Sequence, residues 1–137
     1  MGSIGANKGP AVIFNIDTER IDSMPDYRAT QKTQMRDAVE DVQKAINAFM
    51  KDSWTTKDID HLYEALADYF PRSMYDDDAE KIVRTDSAYK IITTVDIRLH
   101  ENREGKIEAT LSPSSYYFDD FSDEQLKNMG IEWRRRR

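Results

Sequence analysis

The chain of 137 residues contains no cysteine. This excludes disulfides, thiolate zinc sites and cysteine nucleophiles together, and it fits a cytoplasmic location, which is the expectation. No apolar run approaches the roughly 20 residues that a membrane-spanning helix needs, so no membrane contact is expected. Residues 1–10 lack the basic start and long apolar stretch of a signal peptide. Glycine is scarce at 5, and three of the five fall within those first ten residues, where they follow no strand and open no helix. A Gly-rich phosphate loop is therefore excluded. Only two histidines occur, His61 and His100, with no HExxH-like pairing, so no metal and no cofactor are expected.

Charge is what the chain has in quantity. It carries 20 basic and 26 acidic side chains, a net of −6, yet four of the bases are the terminal run Arg134, Arg135, Arg136 and Arg137. Without that run 16 bases face 26 acids, a net of −10. Such an imbalance governs solubility and the sign of a partner, not the fold.

At this length one domain is expected. Residues 1–10 read as a flexible N-terminus, 11–133 as a single α+β domain and 134–137 as an exposed poly-Arg tail. Ala11 to Ile16 is a short apolar run with β-branched content, bounded by Pro10 and Asp17, and reads as a buried strand. Residues 17–28 read as a loop. From Thr30 to Asp52, Met35, Val39, Val42, Ile46 and Phe49 recur at spacings of four and three, which predicts a helix with one apolar stripe. That stripe suits core packing in one chain and dimer packing equally, so both monomer and homodimer fit. A second helix is expected after Thr55 as N-cap, with Ile59, Leu62, Tyr63, Leu66, Tyr69 and Phe70 on its apolar side and Pro71 as its stop. The short connection predicts a helical hairpin.

Asp76-Asp77-Asp78 suits the positive end of a brief helix running through Ile82 and Val83. From Tyr89 the period becomes two and continues, after a polar turn, through Ile107, Ala109 and Leu111. Because apolar residues must share a face, paired positions must have numbers of equal parity. A three-residue loop of Arg103, Glu104 and Gly105 satisfies this and sets Leu99 opposite Ala109, Ile97 opposite Leu111 and His100 opposite Glu108. Ser114 to Phe118 is expected as a separate third strand after Pro113. Ser122 to Gln125 has capping-box spacing, Leu126 and Met129 give a small apolar face, and Gly130 ends the turn. The resulting order is β-α-α-(short α)-β-β-(β)-short α, a helical hairpin packed on a small antiparallel β-sheet.

Two features point toward function. Between Asp52 and Glu80 stand nine acids against Lys57 and Arg72, interleaved with Trp54, Tyr63, Tyr69, Phe70 and Tyr75. Between Ile107 and Leu126 stand five acids and no base, with Tyr116, Tyr117, Phe118 and Phe121. Tyrosine is enriched at protein interfaces. The expectation is a non-enzymatic protein-interaction module, a small acidic inhibitor of the nucleic-acid-mimic, immunity or phage and mobile-element type. It would dock on a basic protein surface, such as that of a nucleic-acid-processing enzyme, through Asp58, Glu64, Asp68, Tyr75, Asp76, Asp77, Asp78, Tyr116, Tyr117, Asp119 and Asp120. A second reading makes Trp133 and Arg134 to Arg137 a nucleic-acid contact, although the acidic body repels phosphate. A third builds an enzyme site on the hairpin from Asp96, Arg98, His100 and Glu108; a solvated cross-strand pair explains His100 and Glu108 more simply.

Overall fold

The computed structural model describes residues 12–52, 59–71, 75–76 and 79–132. The expected flexible start at 1–10, the Thr55 cap, Asp58, Asp77, Asp78, Trp133 and Arg134 to Arg137 lie outside the described residues. The elements run β1 (Val12–Ile16), α1 (Glu19–Asp22), α2 (Ala29–Asp52), α3 (Ile59–Tyr69), β2 (Tyr75–Asp76), β3 (Lys81–Asp86), β4 (Ile91–Glu101), β5 (Ile107–Tyr117) and α4 (Asp123–Asn128). Single 3-10 turns stand at Asp26–Arg28 and Phe118–Asp120. The class is α+β, with a five-stranded sheet in the order β1-β5-β4-β3-β2. Three pairings are antiparallel, and β1 joins β5 in parallel.

The β4–β5 hairpin takes the register that equal parity demands. Leu99 faces Ala109, Ile97 faces Leu111 and His100 faces Glu108. Asn102 N donates to Lys106 O at 2.8 Å, which leaves Arg103, Glu104 and Gly105 as the loop. Gly105 has φ 77, the left-handed conformation that a Cβ disfavours. The Asn102 side chain fixes the turn, its Oδ1 accepting from the backbone N–H of both Glu104 and Lys106 at 2.9 Å.

Pro113 does not divide two strands: β5 runs unbroken from Ile107 to Tyr117. Hydrogen-bonded pairs in an antiparallel ladder alternate with non-bonded ones. Bonds at Asn102–Lys106 and at Phe118 N to Lys90 O fix that alternation, and Pro113 opposite Val95 falls at a non-bonded position. Its ring nitrogen therefore turns away from β4. On that other side the β1 ladder ends at Ile16 with Leu111, its last bond running from Asp17 N to Leu111 O at 2.9 Å. No bond to β4 is lost, and the β1 ladder stops at the position where residue 113 would have to donate, so the proline is tolerated.

Three further expectations are corrected. The brief helix through Ile82 and Val83 is instead the strand β3, entered by a turn in which Glu80 has φ 49. Three acids suit a helix start, but Ile82, Val83 and Thr85 are β-branched, and the free edge of β4 offers six paired positions. The hairpin strand starts at Ile91, not Tyr89, because Asp86 Oδ1 accepts from the N–H groups of Ala88 and Tyr89 and bends the chain first. The loop expected at 17–28 contains α1 and a 3-10 turn.

The main core lies between the helices and one face of the sheet. Met35, Ala38, Val39, Val42, Ala45 and Ile46 of α2 are buried, as are Leu62, Leu66 and Phe70 of the α3 segment and Val95, Ile97, Leu99, Ala109 and Leu111 of the hairpin. Rings of Phe49 and Tyr69 meet edge to face at 6.4 Å, joining the last turns of α2 and α3. A smaller core of Ile92, Phe118 and Leu126 covers one corner of the opposite face, which is why Ile91, Ile92 and Thr93 are buried consecutively. Above it, Ser122 and Gln125 form the expected capping box. Gly130, at φ 79, and the bond from Ile131 N to Leu126 O end α4 in a Schellman turn. Met129, expected on the apolar face of that helix, is exposed.

One edge is finished by a side chain. Ile97 N donates to Glu80 O at 3.0 Å, where β3 begins. Beyond that point no strand among the described residues continues along this edge of β4, and Leu99 N donates to Tyr63 Oη at 2.9 Å. The phenol thus stands in for a strand. Burial raises the Tyr63 pKa above its usual value, against the lowering effect of the bond from Leu99. Tyr63→Phe is expected to cost about 1–3 kcal/mol, because Leu99 N–H loses its acceptor. A raised folded pKa means that this contribution is complete below about pH 10 and lost as pH rises through the folded value. Urea unfolding against pH should therefore show an alkaline decline that Tyr63→Phe reduces; identical declines would contradict the assignment. Gly105→Ala should cost about 1–2 kcal/mol in the same assay, and an unchanged midpoint would remove the role given to the left-handed turn.

Candidate functional site

The first acidic stretch resolves into a ridge on α3. Ile59, Leu62, Tyr63 and Leu66 turn inward on the helical repeat, so the opposite face takes Asp60, Glu64 and Asp68 at four-residue spacing. All three acids are exposed. The helix holds no lysine or arginine, and none stands in its last turn. Asp60, in the first turn, is favoured by the helix dipole. Glu64 and Asp68 gain nothing of this kind. Like charges four apart cost about 0.2–0.5 kcal/mol per pair, and an acid in the last turn opposes the dipole by a similar amount. The helix dipole does not account for Glu64 and Asp68. Tyr69, expected on the inner side, is 53% exposed at the end of the ridge.

The remaining expected residues of this stretch behave differently. Tyr75 is only 8% exposed, because its pairing with Ile82 turns the ring into the main core, so it presents nothing to a partner. Asp76 is half-buried and its Oδ1 accepts from Ala79 N at 3.2 Å, shaping the turn before β3.

The second stretch lies on the other side of the sheet. Tyr116 packs edge to face on Phe121 at 5.5 Å, and the Tyr117 ring lies 5.4 Å from the Arg28 guanidinium carbon. Asp119 and Asp120 are exposed, but Asp120 Oδ2 accepts from Tyr117 N at 2.8 Å and serves the 3-10 turn. The six rings and acids from Tyr116 to Phe121 are thus divided between packing and turn formation. The fold does not bring the two acidic stretches together, since α3 belongs to the helical layer and residues 118–131 to the opposite face.

The hairpin residues form a third group. His100 Nε2 lies 3.1 Å from Glu108 Oε2, which also accepts from Asn15 Nδ2 at 3.2 Å. Asn102 Nδ2 donates to Glu108 Oε1 at 3.1 Å. Glu108 is thus ringed by donors from β1, β4 and the hairpin turn, and its pKa is lowered, foremost by the bond from Asn102. Asp96 and Arg98 share this sheet face by parity and are exposed. The group belongs to a solvated sheet face, and the clefts at residues 16–23 and beside Arg28 do not include it. Among the described residues no three histidines or acids are grouped to hold a metal ion. Among them, too, no helix is long and apolar enough to cross a membrane.

Comparison with family models, with curated proteins and with solved structures finds no match to this chain.

A lowered carboxyl pKa stabilises the fold above the ordinary carboxylate range, and the contribution is lost as pH falls through the lowered value. Glu108→Gln should therefore flatten the acid side of the stability–pH curve. Parallel acid limbs for both proteins would contradict the donor ring.

Proposed function

We propose that this protein is a non-enzymatic interaction module that docks the acidic ridge of α3 on a basic protein surface. The observation that carries the reading is the row Asp60, Glu64 and Asp68, exposed along one face of a helix that holds no lysine or arginine, with Tyr69 beside it. Natural sequences are locally consistent with their fold, and departures concentrate at functional sites. Four residues of helix rise about 6 Å, so the ridge is a straight file of carboxylates. Such a file suits an inhibitor or immunity-type protein whose carboxylates stand in for phosphates on a nucleic-acid-processing enzyme. Asp76 lies in β2, which packs beside α3, and extends the same charge. An exposed tyrosine at the end of a charged row supplies a ring of the kind interfaces favour.

The reading predicts opposite effects on folding and binding. Neutralising the ridge with Asp60→Asn, Glu64→Gln and Asp68→Asn should raise unfolding stability by about 0.5–1 kcal/mol, through relief of like-charge pairs. The same variant should lose a basic protein captured from the native cell at about 0.1 M salt, and the wild type should release that protein near 1 M, where the Debye length is about 3 Å. Undiminished capture by the neutralised variant would overturn the proposal.

A further inference from the structure

A second concave feature lies away from the acidic ridge, beside the edge of β5 that β1 leaves uncovered. There α1, the 3-10 turn at Asp26–Arg28 and the start of α2 enclose a cleft of about 300 Å³. Its polar wall is Arg20, Ser23, Arg28 and Ser115, and Met24 and Met35 supply an apolar side. The volume stands at the lower end of the range for small-molecule sites, about 300–1,000 Å³.

The two arginines are held in place by neutral groups. Arg20 Nη1 donates to Ser114 Oγ at 2.8 Å. The Arg28 guanidinium carbon lies 5.4 Å from the Tyr117 ring centroid and 5.7 Å from that of Tyr27, within cation–π range of both. Neither arginine is paired with a carboxylate among the described residues, in a chain with six more acids than bases. Arg28 is half-buried and Arg20 exposed, so an anion entering the cleft meets two guanidiniums that no carboxylate neutralises.

Hydrogen bonding beside the cleft is also incomplete. Among the described residues, Arg28 Nε and Gln31 Oε1 are buried side-chain atoms with no hydrogen-bond partner in the chain. They belong to residues one helical turn apart, and Gln31 is 1% exposed. Buried polar atoms are almost always satisfied; an acceptor such as Gln31 Oε1 calls for a donor such as water, and the donor Arg28 Nε for an acceptor. Gln31 Nε2 donates to Ser115 Oγ at 2.9 Å. That bond occupies the oxygen of Ser115 and leaves its hydroxyl hydrogen to donate. The Arg28 and Arg20 guanidiniums and the Ser115 hydroxyl are then donors lining one cleft, a set suited to the oxygens of a carboxylate or phosphate.

We propose that this cleft binds a small organic anion, with its carboxylate or phosphate between Arg20 and Arg28 and a short apolar body against Met24 and Met35. The site is independent of the α3 ridge. The test is an NMR titration of the full chain with inorganic phosphate, acetate and butyrate, following the Arg28 Nε–H and the Ser115 amide. Saturable shifts with at least one probe are expected. Stronger binding of butyrate than of acetate would assign the apolar side to the ligand body, and saturation by phosphate alone would assign the headgroup as phosphate. Arg20→Gln and Arg28→Gln should each weaken the responding probe at least tenfold. Arg28→Lys keeps the charge and the fold but loses the planar fork, and should weaken it as well. Glu64→Gln should leave the affinity unchanged, which separates this site from docking through α3. No saturable shift with any probe, or equal affinity in a folded Arg28→Lys protein and the wild type, would overturn the proposal.

Discussion

The eleven paired positions of β4 and β5 are the constraint on which the rest of the molecule depends. Their register turns Val95, Ile97, Leu99, Ala109 and Leu111 to one face and so provides the surface on which α2 and α3 pack. The same register sets His100 beside Glu108, puts Pro113 where no donor is required and leaves the far half of β5 beyond β1 open to α1. A one-residue slip would exchange every one of these side chains between core and solvent. Gly105 and the Asn102 side chain hold the register at the turn, and the Phe118 N to Lys90 O bond closes it at the other end.

A polar layer then aligns α2 with that sheet. Gln31 reaches Ser115, Gln34 donates to Asp86 Oδ2 at 2.7 Å, and Asp41 pairs with Arg84. Thr93, 2% exposed, also meets Gln34. Apolar stripes tolerate sliding along a helix axis more readily than hydrogen-bonded pairs do, so these contacts specify one placement of α2. The same placement brings Met35 to the cleft lined by Arg20 and Arg28, and Gln31 to the Ser115 hydroxyl on its wall. The acidic ridge of α3 and the basic cleft consequently stand on separate parts of the fold, with the sheet as their shared frame.

Much of this architecture was legible in the sequence because it is written in periodicity. The stripe from Met35 to Phe49, the alternation through Leu99 and the capping box at Ser122 each carry a local physical rule, and each appears where the rule puts it. Misreadings arose where tertiary pairing overrides local preference. Asp76-Asp77-Asp78 satisfies a helix start, yet the open edge of β4 recruits Lys81 to Asp86 as a strand. Pro113 reads as a boundary unless the parity of its hydrogen-bonding position is known. The acidic face was legible for Glu64 and Asp68, whose helical spacing exposes them, but not for Tyr75, whose burial follows from a strand pairing. The Arg20–Arg28 cleft left no motif, because its members come from α1, a 3-10 turn, α2 and β5 and meet only through the fold. Residues 17–28 hold two arginines among four acids, so no excess of positive charge there marked the cleft.

Cross-strand nuclear Overhauser contacts between α-protons test the central claim most directly. Non-bonded antiparallel pairs bring Cα atoms to about 4.5 Å, within reach of a strong contact. The account predicts strong α-proton contacts for Leu99 with Ala109 and for Thr93 with Ser115, the second fixing the wall of the Arg28 cleft at the same time. Contacts of Leu99 with Ile107, as in a register that sets Arg98 against Glu108, would contradict it. Ser115 would then stand opposite Ile91, and the α2 placement that Gln31 specifies would fall with the register.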